Sequence, residues 1–255
     1  MVVTREDEVL ARAAVEGLLA GVELTPKPGL PDVDLAALRW SARALEPGLV
    51  AMAAVARRIG EPSAGLRGEL GAIGRSTERD MARADGGAAL HHGAVWPLGL
   101  LVAGAALAPD GAVEEITALA GRIAAYPDRG APRTPSPGSA VSVRYGAAGA
   151  KGEARAGFPH VRRALATLRT ARDAGAREPE ARLNALLTVM TTLQDTGLLH
   201  AAGPHGLREV QDGAREVVEG HLAVDDLDRR LRERGLRPRG SGHLLAAALF
   251  LDGLR

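Results

Sequence analysis

Apolar residues recur every three or four positions along most of this chain, and alternation by twos is almost absent. Val9, Leu10, Ala13, Ala14 and Leu18 form the first such stripe, the spacing of one helical face. It stops at Thr25–Pro31, where three prolines and a glycine break the pattern. Leu35, Leu38, Ala42 and Leu45 predict the next helix, with Asp34 able to cap it. Helical spacing covers Ile73–Ala84 and is interrupted at Asp85-Gly86-Gly87. It resumes at Gly93 as a buried helix with Pro97 near its first turn, and again over Val113–Ala125. Further helices are expected at Arg155–Arg172, Glu178–His200, Pro204–His221, Val224–Arg234 and Ser241–Leu254. Between them, residues 126–149 are rich in Pro, Gly and Ser and read as a long loop, with Val141–Tyr145 the only short strand candidate. The expected fold is all-α, a single-domain multi-helix bundle spanning residues 1–255.

Composition sharpens that picture. Hydrophobic residues make up 46% of the chain but aromatics only 2%, so alanine, leucine and valine must fill the core. Small side chains favour closely packed helices over sheets, which prefer β-branched and aromatic residues. A net charge of +1 gives no general attraction to nucleic acid or acidic membranes. Without cysteine there is no disulfide and no thiolate chemistry. The apolar run Ala94–Ala108 falls short of the roughly 20 residues a membrane span needs, and Met1–Arg12 lacks an apolar signal core. A cytoplasmic location is expected.

The candidate chemistry sits between the helices. Of 32 basic residues other than histidine only two are lysines, and both lie in glycine-punctuated motifs. Lys27 stands in Thr25-Pro26-Lys27-Pro28-Gly29, where a compact ammonium on rigid backbone suits a phosphate. Lys151 stands in Gly149-Ala150-Lys151-Gly152-Glu153, where Gly149 and Gly152 would let backbone amides approach a phosphate. Glu153 either joins that site or caps the following helix. Asp32 and Asp34 either start a helix or hold Mg²⁺ just after the Lys27 turn. Glu78 lies on the Ile73–Ala84 helix, where its spacing alone reads as a solvated face. His91 precedes the Gly93 helix, where an imidazole adds a donor beside free amides. Asn184, Thr188, Thr191 and Asp195 line one face at helical spacing, which suggests a wet cavity. Asp195 is the first choice for a metal ligand or general base. Gly240-Ser241 begins the last helix as a second anion site. No phosphate-binding loop, zinc helix or nucleophile elbow is present.

Taken in order, these pieces resemble the triphosphoribosyl-dephospho-CoA synthase family. The most specific are Thr25-Pro26-Lys27-Pro28-Gly29-Leu30, Asp32-Val33-Asp34-Leu35 and the run Gly149–Pro159. They are joined by Ile73-Gly74 with Glu78 and Met81, Gly86-Gly87, His91, Gly93, Asp195-Thr196, Gly206-Leu207 and Gly240-Ser241. The resemblance implies a transferase that joins ATP to 3′-dephospho-CoA and expels adenine, making a prosthetic-group precursor for malonate decarboxylase or citrate lyase. It implies Mg²⁺ on the triphosphate, held by Asp32, Asp34 or Asp195, and catalytic roles for Asp195, Glu78 and His91. It moves Glu78 from a solvated face toward metal or substrate binding. Substrate binding falls to Lys27, Gly149, Lys151, Gly152, Glu153, Gly240 and Ser241. The product would be handed to a phosphoribosyl-dephospho-CoA transferase, with neither nucleic acid nor membrane as partner. The chain departs from the family pattern at Ala89, His92, Gly197, Ala201 and His243. Those departures leave two alternatives, a nucleotide-binding relative without catalysis and a nucleotide glycohydrolase that uses water as acceptor.

Overall fold

The computed structural model describes residues 2–24, 28–29, 35–84, 86–87, 90–132, 134 and 137–254. Lys27, Asp32, Asp34 and Ala89 lie outside the described residues. Among those described, thirteen α-helices and no strand are found: α1 (Arg5–Val22), α2 (Leu35–Arg43), α3 (Glu46–Ile59), α4 (Ala64–Ala84), α5 (His92–Leu107), α6 (Val113–Ala125), α7 (Pro137–Tyr145), α8 (Gly149–Arg155), α9 (Pro159–Asp173), α10 (Glu178–Met190), α11 (Thr196–Val218), α12 (Val224–Glu233) and α13 (Arg239–Asp252). The all-α expectation holds.

Helix α5 is the axis of the bundle. Ala94, Val95, Leu98, Leu100, Leu101, Val102 and Ala103 are all buried, so it shows no polar face along its middle. It packs on α1, α3, α4, α6, α8 and α13. The small residues act as the composition requires. On α1, a Cβ at Gly17 would lie 2.7 Å from the Ala246 carbonyl oxygen and 2.8 Å from the Phe250 nitrogen. Only glycine there lets α1 and α13 approach so closely.

Four sequence expectations are corrected. The stretch 126–149 contains α7, so it is not one continuous loop, and Val141–Tyr145 is helical. Val141 is buried and Val143 is 87% exposed, but buried Val141 and half-buried Tyr145 are also spaced i, i+4. Five residues cannot separate the two periods. The helix expected from Arg155 starts instead at Pro159, because Phe158 takes a left-handed conformation (φ 56°, ψ 55°) and ends the preceding segment. The glycine-rich run before it is itself helical, as α8. Finally, the helix expected over Glu178–His200 stops at Met190, and Asp195 starts a new one. Asn184, Thr188, Thr191 and Asp195 therefore do not share a helical face. Helix α11 runs through to Val218 with a kink at Gly203 (φ 63°, ψ −169°) just before Pro204.

Candidate active site

Several helix starts converge beside the first turns of α5. A hollow is lined by Gly93, Trp96 and Pro97 of α5, by Gly149, Ala150 and Glu153 of α8, by Phe158, by the turn Leu193–Thr196, and by Gly240, His243 and Leu244 of α13. Four of the sequence-selected residues, Gly149, Glu153, Asp195 and Gly240, thus share one wall system although Gly149 and Gly240 lie 91 positions apart in the chain.

Asp195 organises the hollow. Its Oδ1 accepts from the amides of Gly197 (2.8 Å) and Leu198 (3.3 Å), which caps α11. Its Oδ2 accepts from the amide of Gly240 at 2.9 Å, in the first turn of α13. One carboxylate therefore ties two helix N-termini together, where their dipoles favour negative charge. Burial pushes the carboxyl above its ordinary range, and the amides of Leu198, Gly240 and Gly197 pull the other way. Ser241, next to Gly240, is itself buried.

Glu153 is buried and turned toward His160. Its Oε1 accepts the His160 amide at 2.8 Å, and its Oε2 meets His160 Nδ1 at 2.6 Å. That caps the first turn of α9, the second of the two roles read from the sequence. His160 Nε2 lies 3.2 Å from Thr192 Oγ1, which also accepts from Arg163 at 2.8 Å. Gly152 donates its amide to Ala148 at 2.9 Å, so that group is already used within the chain. Lys151 is exposed on α8, outside the lining of the hollow. His91 caps no amide with its side chain. It is buried, its Nε2 donates to the Leu38 carbonyl at 3.2 Å, and its ring meets His243 edge-on with centroids 6.4 Å apart. His243 in turn lines the hollow, and a Cβ on Gly93 would lie 2.6 Å from its Nδ1.

The Pro28–Gly29 turn, the described end of the Lys27 motif, is buried against the approach to α13. Gly29 donates to Asp228 at 2.8 Å, and a Cβ on it would lie 2.9 Å from Pro238. Pro238 is the N-cap residue immediately before α13.

Glu78 is not in this hollow. It lines a second one between α4, α5 and the turn at Asp128, together with Met52, Arg67, Leu70, Arg75, Val95 and Trp96. Trp96 belongs to both walls, and its Nε1 donates to the Ala150 carbonyl at 3.1 Å. Glu78 is half-buried, and burial raises its carboxyl above the ordinary glutamate range despite the nearby charges of His92 and Arg75. A group with a raised folded pKa adds stability in its acid form, and that contribution is lost as pH rises through the folded value. Glu78→Gln is therefore expected to raise the melting temperature near pH 7, with a gain that fades toward about pH 4. Thermal melts at both pH values check this; a gain independent of pH would count against it.

Sequence reasoning missed Trp96, His160, Thr192, Arg67, Arg75 and Asp128. His160 directly follows the Gly157-Phe158-Pro159 motif, and Trp96 is one of only two tryptophans, so both carried a usable signal. Arg67 and Asp128 carried none, because their pairing is visible only in three dimensions. Among the described residues no three histidine, aspartate or glutamate side chains are grouped to hold a metal.

Comparison with known proteins shows the family to which the chain belongs. The model of the CitG family, described as ATP:dephospho-CoA triphosphoribosyl transferase, matches residues 7–255. A protein of Azotobacter vinelandii named probable 2-(5″-triphosphoribosyl)-3′-dephosphocoenzyme-A synthase is 44% identical, covering 97% of this chain and 91% of its own. Proteins of the same name from Pseudomonas aeruginosa strain UCBPP-PA14 and Pseudomonas fluorescens strain Pf0-1 are 45% and 41% identical, covering 97% and 96% of this chain and 91% of each relative. No solved structure matches the chain. The bundle is thus the scaffold of an all-helical transferase. The chain belongs to the ATP:dephospho-CoA triphosphoribosyl transferase family.

Proposed function

We propose that this protein joins ATP to 3′-dephospho-CoA, releasing adenine and leaving a triphosphoribosyl group on the acceptor, and that the two sugars meet at the Asp195 hollow. The observation that carries the site is the meeting of Gly149, Glu153, Asp195 and Gly240 in one hollow. A ribose hydroxyl of the acceptor attacks the anomeric carbon of ATP, and the bond to adenine breaks. That centre passes through an oxocarbenium-like state that a nearby carboxylate stabilises. Asp195 is buried, and its raised pKa makes it a better proton acceptor than an ordinary aspartate. The alkoxide-forming hydroxyl gives its proton to Oδ2, which among the described residues has only the Gly240 amide as partner.

Mg²⁺ enters this reading with ATP. The described acids do not form a cage for it: Glu153 is engaged by His160, and Asp195 by three amides. Mg²⁺ keeps several waters and phosphate oxygens and needs only one or two carboxylates. Asp32 and Asp34 supply those in this proposal, with Lys27 and Lys151 as cationic contacts to the triphosphate. His91 acts by holding His243 in the wall. The product passes to a phosphoribosyl-dephospho-CoA transferase serving malonate decarboxylase or citrate lyase, in the cytoplasm. Among the described residues no helix is long and apolar enough to cross a membrane.

Chromatography of purified protein incubated with Mg-ATP is expected to show adenine only when 3′-dephospho-CoA is present. Adenine release without the acceptor would favour a glycohydrolase, and ATP binding without any release a non-catalytic relative.

A further inference from the structure

The second hollow holds two things the chemistry above does not use. Arg67 has a side chain only 10% exposed, and its buried Nε–H has no acceptor among the described residues. Its guanidinium lies 4.7 Å from the centre of the Trp96 ring. Glu78, on the same wall, has no hydrogen bond or ion pair among the described residues. A buried donor without a partner is costly unless something supplies the acceptor, and the space for that acceptor is present.

Charge decides what fits. Arg67 (3.4 Å) and Arg75 (2.7 Å) share the carboxylate of Asp128. With Glu78 ionised the four groups sum to zero, and with Glu78 protonated to a single positive charge. A triphosphate has no counterpart there. Met52, Leu70, Val95 and Leu100 make the remaining wall apolar. Gly71 leaves room for Asp128, whose carboxylate a Cβ would overlap. A flat, uncharged ring with lone-pair nitrogens suits such a slot, since it accepts from Arg67 Nε and from a protonated carboxyl.

We infer that this hollow receives the adenine ring of ATP, and that Glu78 is the acid that protonates the departing base. The inference rests on the transferase reading. In the step, the bond from the anomeric carbon to adenine N9 breaks and its electron pair stays with the base. The Glu78 carboxyl proton goes to a ring nitrogen, and the acceptor's oxygen forms the new bond to carbon. Adenine leaves neutral, and the Glu78 carboxylate is reprotonated from water, with the proton lost by the acceptor hydroxyl keeping the balance. Burial raises the proton affinity of Glu78, and the charges of His92 on α5 and Arg75 on α4 oppose it; Arg67 on α4 and Asp128 line the same hollow.

Two readouts test this. Trp40→Phe leaves Trp96 as the sole tryptophan, and Trp40 is 63% exposed on α2. Adenine alone is expected to quench that fluorescence, whether or not the protein turns over, and Arg67→Lys to weaken both adenine and ATP binding about tenfold while leaving inorganic tripolyphosphate binding unchanged. Absence of quenching at millimolar adenine, or equal loss for ATP and tripolyphosphate, overturns the base site. In turnover, Glu78→Gln is expected to slow adenine release roughly 10²–10³-fold. With 7-methyl-ATP, whose cationic base departs without a proton, the variant is expected to recover most of the unmodified protein's rate. An equal deficit on both nucleotides overturns the role of Glu78 as acid. A lack of adenine release by the unmodified protein would defeat the transferase reading instead, while the fluorescence result would still decide the base site.

Discussion

Asp195→Ala is expected to abolish dephospho-CoA-dependent adenine release and to lower unfolding free energy by about 2.5–4 kcal/mol. The stability loss has two parts. The α11 cap through Oδ1 accounts for about 1 kcal/mol. The buried bond from Gly240 to a charged acceptor accounts for roughly 1.5–3 kcal/mol. Asp195→Asn separates them. The amide oxygen can still cap α11 by accepting from Gly197 and Leu198. Its nitrogen then faces the Gly240 amide, two donors with nothing between them. Asn is therefore expected to fall between wild type and Ala in stability but to match Ala in activity, since it cannot take a proton. Urea unfolding and adenine chromatography on the same preparations read the two effects. A fully active Asn variant would remove Asp195 from the role of base.

The same residue shows where sequence reading stops. Periodicity predicts helices along nearly the whole chain, and the structure confirms their order and class, because buried and exposed faces leave a direct imprint on spacing. The imprint is blind to a break between two helices whose apolar residues stay in phase. Leu186, Leu187, Met190 and Leu193 carry the stripe toward Asp195, yet α10 ends at Met190. Asp195 therefore looked like a residue on a helical face when it is a cap. The motif run Gly149–Pro159 was legible as special from its glycines, but not as a short helix followed by a left-handed Phe158. That conformation depends on contacts the spacing does not display, since Phe158 is fully buried at the edge of the hollow. The second hollow was the least legible. Glu78 was chosen from its place in a motif, and its neighbours Arg67, Trp96 and Asp128 come from three elements with no shared pattern.

The second large effect is expected at Glu153, and its two variants should differ sharply. Phe158 is the only non-glycine residue with positive φ among the described residues, a conformation that costs about 1–2 kcal/mol for an L-residue. The bonds from Glu153 to His160 offset that strain by fixing the first turn of α9. Glu153→Ala removes both and leaves the His160 amide and ring nitrogen facing a void, so a loss of about 2–4 kcal/mol is expected. The Phe158 edge of the hollow should loosen with it, reducing adenine release. Glu153→Gln can keep the contact to the His160 amide through its carbonyl oxygen, while its NH₂ group faces Nδ1. Nδ1 must then accept, which moves the ring proton to Nε2, where it can donate to Thr192 Oγ1. That oxygen already accepts from Arg163 and has two lone pairs, so both donors can be accommodated. Gln is thus expected within about 1 kcal/mol of wild type, with the His160 tautomer reversed in its imidazole nitrogen NMR shifts. An alanine variant as stable as wild type would show that the Phe158 turn is held by packing alone. A glutamine variant with an unchanged tautomer would show that Glu153 binds His160 through the backbone amide only.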